Sequence, residues 1–205
     1  ASAFHMPLFA RVKTSVRHKL PTNSTWKFSG AGCHGSVTLA MFSAPGVIAP
    51  AFARRFTVVV KAVMAFLDAN GWGETGSWVQ VLDEPAWTDK TDSTLENVLA
   101  MMKLYKSIDP RIKIYQTRWP QGGGNTQPTL SKVAAQPLYD HVDWWCLHVC
   151  QAVATPARGF DVDVPHDIDA LRAAKAAQGR IFRATVYNNG VPLIESPSER
   201  ERSQA

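Results

Sequence analysis

Two adjacent acids, Asp83 and Glu84, follow a short apolar segment and directly precede Pro85. The segment Trp78–Leu82 is rich in bulky residues, as is typical of a strand buried on both faces, and proline marks its end because it cannot donate to a sheet. A pair of carboxyl groups at the end of a strand can act on a glycosidic bond as general acid and base. The alternative interpretation is that these are loop acids that cap the helix after them.

The segments that would position these acids alternate between helical and strand-like patterns from residue 51 onward. The first helix is predicted to end at Asn70-Gly71, and a later one to begin at a capping box, Ser93-Thr94-Leu95-Glu96. The stripe predicted to face the core on the first helix consists of Phe52, Phe56, Val59, Val60, Val63, Phe66 and Leu67. The predicted strands end near Asp83, Gln116, His148 and Tyr187.

Repeats of strand and helix predict parallel strands with helices outside, in an open sheet or a (β/α)₈ barrel. Polar or aromatic residues follow each predicted strand, and their convergence at the carboxyl ends favours a TIM-type (β/α) barrel of the α/β class. The run Gly122-Gly123-Gly124 lacks the Lys-Ser/Thr that a phosphate loop requires, so nucleotide binding is not predicted.

The charge of the chain is unevenly distributed. Its formal net charge is +5, yet no acid precedes Asp68, while eight lysines and arginines do. Such an imbalance can indicate contact with nucleic acid or a membrane. Because these basic residues are scattered and have no interleaved aromatic pattern, we predict a solvated surface, or one that meets another portion of the protein, and no nucleic-acid partner. No apolar stretch approaches the ~20 residues of a membrane-spanning helix, so no transmembrane segment is predicted.

The sequence Cys146-Leu147-His148-Val149-Cys150 contains three potential metal ligands. Zinc sites usually use four ligands, with two or more residues between their cysteines. We therefore predict neither a metal nor another cofactor.

Three segments together resemble the catalytic domain of family 123 glycoside hydrolases: Leu82-Asp83-Glu84-Pro85, Val142-Asp143-Trp144-Trp145, and Tyr187-Asn188-Asn189-Gly190 with the Pro197-Ser198-Glu199-Arg200 that follows it. The resemblance covers roughly residues 70–202 and implies a TIM barrel with β-N-acetylgalactosaminidase-like activity, in a secreted or lumenal location. A complete barrel needs about 250 residues. Residues 51–205 are therefore expected to be the catalytic portion of a barrel that lacks its C-terminal end, and residues 1–50 to hold possible early strands.

The resemblance implies substrate-assisted retaining hydrolysis of a terminal β-linked N-acetylhexosamine, with a glycan or glycoconjugate as partner. Glu84 would transfer the proton and Asp83 would orient the acetamide group. The expected substrate-binding residues are Trp119, Trp144, Trp145, His148, Tyr187 and Asn188. Two alternatives are a retaining glycosidase with a conventional carboxylate nucleophile such as Glu195, and a catalytically inactive carbohydrate-binding remnant.

Overall fold

The computed structural model describes residues 4–5, 19–29, 36–73, 77–83, 85, 87, 93–117, 130–148, 164–177 and 183–187. The strands within these ranges are β1 (Phe4–His5), β2 (Thr25–Ser29), β3 (Ser36–Ala40), β4 (Phe42–Ala44), β5 (Val47–Ile48), β6 (Ser77–Val79), β7 (Lys113–Thr117), β8 (Trp144–His148) and β9 (Arg183–Tyr187). The helices are α1 (Pro50–Ala69), α2 (Thr94–Ile108), α3 (Lys132–His141) and α4 (Val164–Ala177).

The largest sheet has five parallel strands in the order β1-β6-β7-β8-β9. Helices α2, α3 and α4 lie in the connections between its last four strands, as parallel neighbours require. Two separate antiparallel pairs, β2 with β3 and β4 with β5, precede α1. The described part of the chain thus combines helices with a parallel sheet and separate antiparallel strand pairs.

The predicted TIM-type barrel is wrong. Among the described strands the large sheet is open, because β1 and β9 at its two ends each pair with one neighbour only. Alternation of strand and helix favours parallel pairing between successive strands, but closure also requires enough strands with a matching tilt and stagger. The strands β2 to β5, which lie in the segment assigned to possible early barrel strands, form antiparallel pairs instead.

The strand that leads to the acids is shorter than predicted. β6 ends at Val79, whereas the apolar segment continues to Leu82. Beyond β6, the carbonyl of Leu82 accepts a hydrogen bond from Gln116 Nε2 at 2.8 Å instead of one from a strand ladder. The chain therefore leaves the sheet before it reaches Asp83.

Helix α1 is amphipathic, and its inner face carries much of the core. Its buried side chains are Phe52, Phe56, Val60, Met64 and Leu67. The ring of Phe56 contacts those of Trp26, Phe52 and Tyr105, with centroids 5.1–5.3 Å apart. Phe66, predicted to belong to this stripe, is exposed because it lies about 100° around the helix from Leu67. The division into domains at residue 50 stays a prediction.

Helix α2 forms hydrogen bonds with the segments that precede α1. The buried side chain of Asn97 donates to Leu20 O and accepts from Gly46 N, each at 2.8 Å. Thr94 Oγ1 accepts from Leu20 N at 3.0 Å. Ser93 has a φ of 63° and makes no side-chain cap, so the predicted capping box is wrong. Thr94 and Asn97 in the first turn of α2 are used for tertiary contacts.

Candidate functional site

The carboxyl ends of β6 and β7 bring Asp83 into a small polar group, which we name the strand-end cluster: Gln80, Asp83, Gln116 and Thr117. Asp83 Oδ1 accepts hydrogen bonds from Gln80 Nε2 at 3.1 Å and from Thr117 Oγ1 at 3.2 Å. Gln80 Nε2 also donates to Thr117 Oγ1 at 2.8 Å. Asp83 is exposed, so these contacts hold a solvated carboxylate against the end of β7.

Gln116 completes the strand-end cluster from the protein interior. Its side chain is fully buried, and Nε2 donates both to Leu82 O at 2.8 Å and to Thr117 O at 3.1 Å. The amide thereby ties the loop after β6 to the end of β7. The hydrogen bonds of the cluster therefore stabilise the fold by connecting the segment after β6 to β7.

Two half-buried aromatic rings lie beside the strand-end cluster. Tyr115 and Trp144 are register partners on β7 and β8, and their rings meet edge to face with centroids 5.7 Å apart. Burial, a hydrogen bond with Cys146 and the negative charge of Asp83 raise the pKa of Tyr115. The phenol therefore stays neutral at physiological pH and serves as a hydrogen-bonding, packing group.

The other expected site residues have varied positions. Trp145 is fully buried and packs edge to face on Tyr139 of α3, so its ring belongs to the core. His148 and Tyr187 are paired in register at the ends of β8 and β9. Glu84, Trp119 and Asn188 lie outside the described residues. Of the expected catalytic and binding residues, the structure thus describes Asp83 after β6 and Trp144 on β8, and these two strands flank β7.

A second surface, to which the sequence patterns above do not point, is the solvent side of α1. We name it the α1 outer face, consisting of Arg54, Arg55, Val58, Lys61 and Phe66. All five side chains are exposed. None of the acids that the structure describes forms an ion pair with Arg54, Arg55 or Lys61. The helix therefore presents three cations that are compensated by solvent alone within the described part of the chain.

In contrast to these cations, the acid at the end of α1 forms an ion pair. Asp68 forms an ion pair with Arg111 at 2.8 Å, and Arg111 also binds Asp109 at 2.8 Å. The hydrogen bond from Arg111 lowers the pKa of Asp68. This small network neutralises the one carboxylate of α1, so that the outer face has a net positive charge.

The helical period could have revealed this surface. Arg54 and Lys61 are seven residues apart, two turns of an α-helix, and Arg55 is adjacent to Arg54. The charge pattern predicts this surface when it is combined with the buried stripe of the same helix. Residues scattered along a sequence converge when the helix gives them a common side.

No protein-family model matches the chain. The chain is similar to the nucleoprotein of Bat coronavirus 512/2005, with 31% identity over 107 residues. The match covers 50% of this chain and 27% of that protein, so the chain spans about a quarter of its relative's length. The two proteins thus share similarity over a limited segment.

These comparisons correct the sequence-based interpretation. The resemblance to family 123 glycoside hydrolases is wrong, since no family model supports it and the named relative is a nucleoprotein. The named relative is a nucleoprotein and not a glycosidase, so the predicted glycosidase function, with its alternatives, is also wrong. The similarity also weighs, though weakly, against the prediction that nucleic acid is not a partner. No helix within the described ranges combines the length and apolar character that crossing a bilayer requires.

Proposed function

We propose that this chain binds nucleic acid through contacts between the α1 outer face and backbone phosphates. The observation that carries the proposal is the exposure of Arg54, Arg55 and Lys61 on one side of a helix, without an ion pair to any described acid. The similarity to a nucleoprotein supports the same partner. Lysine and arginine that neutralise phosphates supply most of the affinity in sequence-independent binding.

The spacing of the cations suits the phosphate repeat of a nucleic-acid strand. At a rise of 1.5 Å per residue, Arg54 and Lys61 lie about 10 Å apart along α1. Phosphates follow one another every ~3.4 Å along the axis of one strand in a duplex, so the cations span about three nucleotides. Between them, the exposed Val58 offers no charge that would repel the strand.

The absence of acids from the first 67 residues strengthens the attraction at longer range. A uniformly positive region raises the rate of encounter with a polyanion, and the effect falls as salt increases. Phosphate contacts carry no sequence information by themselves. We therefore expect sequence-independent binding, with a dissociation constant on the order of 10⁻⁴ to 10⁻⁶ M at physiological salt.

The test is the salt dependence of binding to a labelled RNA of about 20 nucleotides, followed by fluorescence anisotropy between about 50 and 200 mM salt. The triple variant R54Q/R55Q/K61Q should weaken binding and reduce the slope of log K against log salt by about 2, because each contact with a single strand contributes about 0.7.

The matched control is R172Q on α4. Arg172 is also an exposed helical arginine, but it forms an ion pair with Asp169 at 2.8 Å. Arg54→Gln should reduce the slope by about 0.7, whereas R172Q should leave it unchanged. Absence of salt-dependent RNA binding by the wild-type protein would overturn the function, and an unchanged slope in the triple variant would overturn the assignment to α1.

A further inference from the structure

Two large aromatic side chains are exposed side by side at the end of α1. Phe66 is 59% exposed and Trp72 is 43% exposed, and their rings meet edge to face with centroids 6.2 Å apart. Among the described residues, the other large apolar side chains that are exposed are all valines. The pair is therefore a local concentration of exposed aromatic surface.

The backbone fixes the position of this pair. Trp72 N donates to Leu67 O at 2.8 Å, and Gly71 between the rings has a φ of 71°, which favours glycine. Asn70 Nδ2 donates to Phe66 O at 2.7 Å, which adds a side-chain contact to the same turn. The rings are thus presented by a defined helix terminus, and little conformational entropy is lost when a ligand meets them.

The aromatic pair is continuous with the cations of the α1 outer face. Phe66 lies eleven residues after Arg55, which is about three whole turns, so both project from one side of the helix about 16 Å apart. Ala62 and Ala65 lie on the exposed surface between them and leave room for a flat ligand. A strand that contacts Arg55 with a phosphate can therefore reach Phe66 with a base a few nucleotides later.

We propose that the Phe66–Trp72 pair makes the α1 outer face selective for single-stranded nucleic acid by stacking on an unpaired base, an inference that rests on the proposed function. Aromatic side chains stack on unpaired bases of any sequence, while bases inside a duplex are covered by their neighbours. The cations attract both forms through their phosphates, and the aromatic pair adds affinity for one of them alone.

An anionic membrane surface is the other partner that exposed aromatic rings and cations could meet. The geometry favours nucleic acid, because the exposed face of α1 consists mainly of cations and alanines, with Val58 and Phe66 as its large apolar residues. Interfacial helices bury a continuous apolar face, and the apolar face of α1 is already occupied by the core.

The test compares four ligands: a single-stranded RNA, the duplex of the same sequence, an abasic strand of the same length, and vesicles of anionic lipid. The wild-type protein should bind the single strand about 5-fold or more tightly than the abasic strand, as expected for stacking on one base. Trp72→Ala should lose this preference and retain the salt slope, while Trp72→Phe, which keeps a ring, should retain most of the preference. Phe66→Ala should behave as Trp72→Ala does, and circular dichroism would show that each variant is folded.

The outcomes separate the two proposals. Salt-dependent binding of all three nucleic acids with equal affinity would overturn the stacking inference and leave the proposed function standing. An unchanged preference in both folded alanine variants would overturn the stacking inference in the same way. Binding of none of the nucleic acids by the wild-type protein would overturn the proposed function itself. Binding to vesicles alone, accompanied by a blue shift of tryptophan emission that Trp72→Phe reduces, would replace both proposals with a membrane contact.

Discussion

The strand-end cluster and the α1 outer face differ in the contacts that their polar side chains make. In the cluster, Asp83 accepts two hydrogen bonds from neighbouring side chains, and Gln116 binds two backbone carbonyls. On α1, Arg54, Arg55 and Lys61 extend into solvent without an ion pair to any acid in the described ranges. The polar side chains of the cluster bind groups of this chain, whereas the cations of the α1 outer face are accessible to a partner.

This difference shows why residue type alone is a poor guide to function. The acid of the cluster has the chemistry of a catalytic site, yet Asp83 joins the segment after β6 to β7 and stabilises the fold. The basic residues of α1 suggested an ordinary solvated surface. Their value as a binding surface depends on a common orientation and on the absence of nearby compensation, and both are properties of the folded chain.

The largest difference in stability is expected between a substitution on the buried face of α1 and one on its exposed face. Phe56→Ala removes a fully buried ring that contacts three other aromatic side chains, and it should lower the free energy of unfolding by about 3–5 kcal/mol. Val58→Ala on the exposed side should change it by less than about 0.5 kcal/mol. Urea unfolding followed by circular dichroism measures both. Similar losses in the two variants would mean that α1 does not have the inner and outer faces described above.

A smaller loss is expected at the strand-end cluster. Thr117→Val keeps the shape of the side chain but removes the hydroxyl that donates to Asp83 and accepts from Gln80. We expect the free energy of unfolding to fall by about 0.5–1.5 kcal/mol, the usual net contribution of a hydrogen bond, because these bonds are part-buried. RNA affinity in the absence of denaturant should not change. A loss of RNA affinity without a loss of stability would show that the cluster is a binding site and would reverse the comparison.

The smallest effect concerns His141, whose protonated form is disfavoured in the folded protein. Burial, with help from the positive charge of Lys103, lowers the pKa of His141, while Asp140 opposes the shift and Lys106 and Lys175 add to it. The unfolded chain therefore takes up this proton first as pH falls through about 6.5, and the contribution to stability declines from there toward the lower pKa of the folded state.

The variant His141→Gln isolates this contribution. Urea unfolding at about pH 7.5 and pH 5.5 should show a smaller loss of stability in the variant than in the wild-type protein. Other histidines and carboxyl groups affect both proteins alike, so the difference between them is the quantity to compare. Equal losses would mean that His141 titrates in the folded state as it does in the unfolded chain.

Much of the local structure could be predicted, whereas three of the eight predicted site residues, Glu84, Trp119 and Asn188, lie outside the described ranges and stay predictions. Helix α1 ends near Asn70-Gly71 as expected, and the strands β7, β8 and β9 end near Gln116, His148 and Tyr187 as predicted. The boundary at β6 was misplaced, because the side chain of Gln116 binds Leu82 O from a neighbouring strand. Such a contact joins residues 34 positions apart, and no local pattern reports it.

Composition and periodicity by themselves determined the helices, the parallel direction of successive strands and the excess of basic residues before Asp68. These properties depend on neighbours within one or two helical turns, or on alternation along a strand, so they are visible in the sequence. Tertiary structure alone decided that the sheet stays open, that Asp83 accepts a hydrogen bond from Thr117, and that Asn97 binds the backbone of Leu20 and Gly46. Each of these depends on which distant groups fill a space or satisfy a hydrogen bond, and that competition is resolved only when the chain is packed.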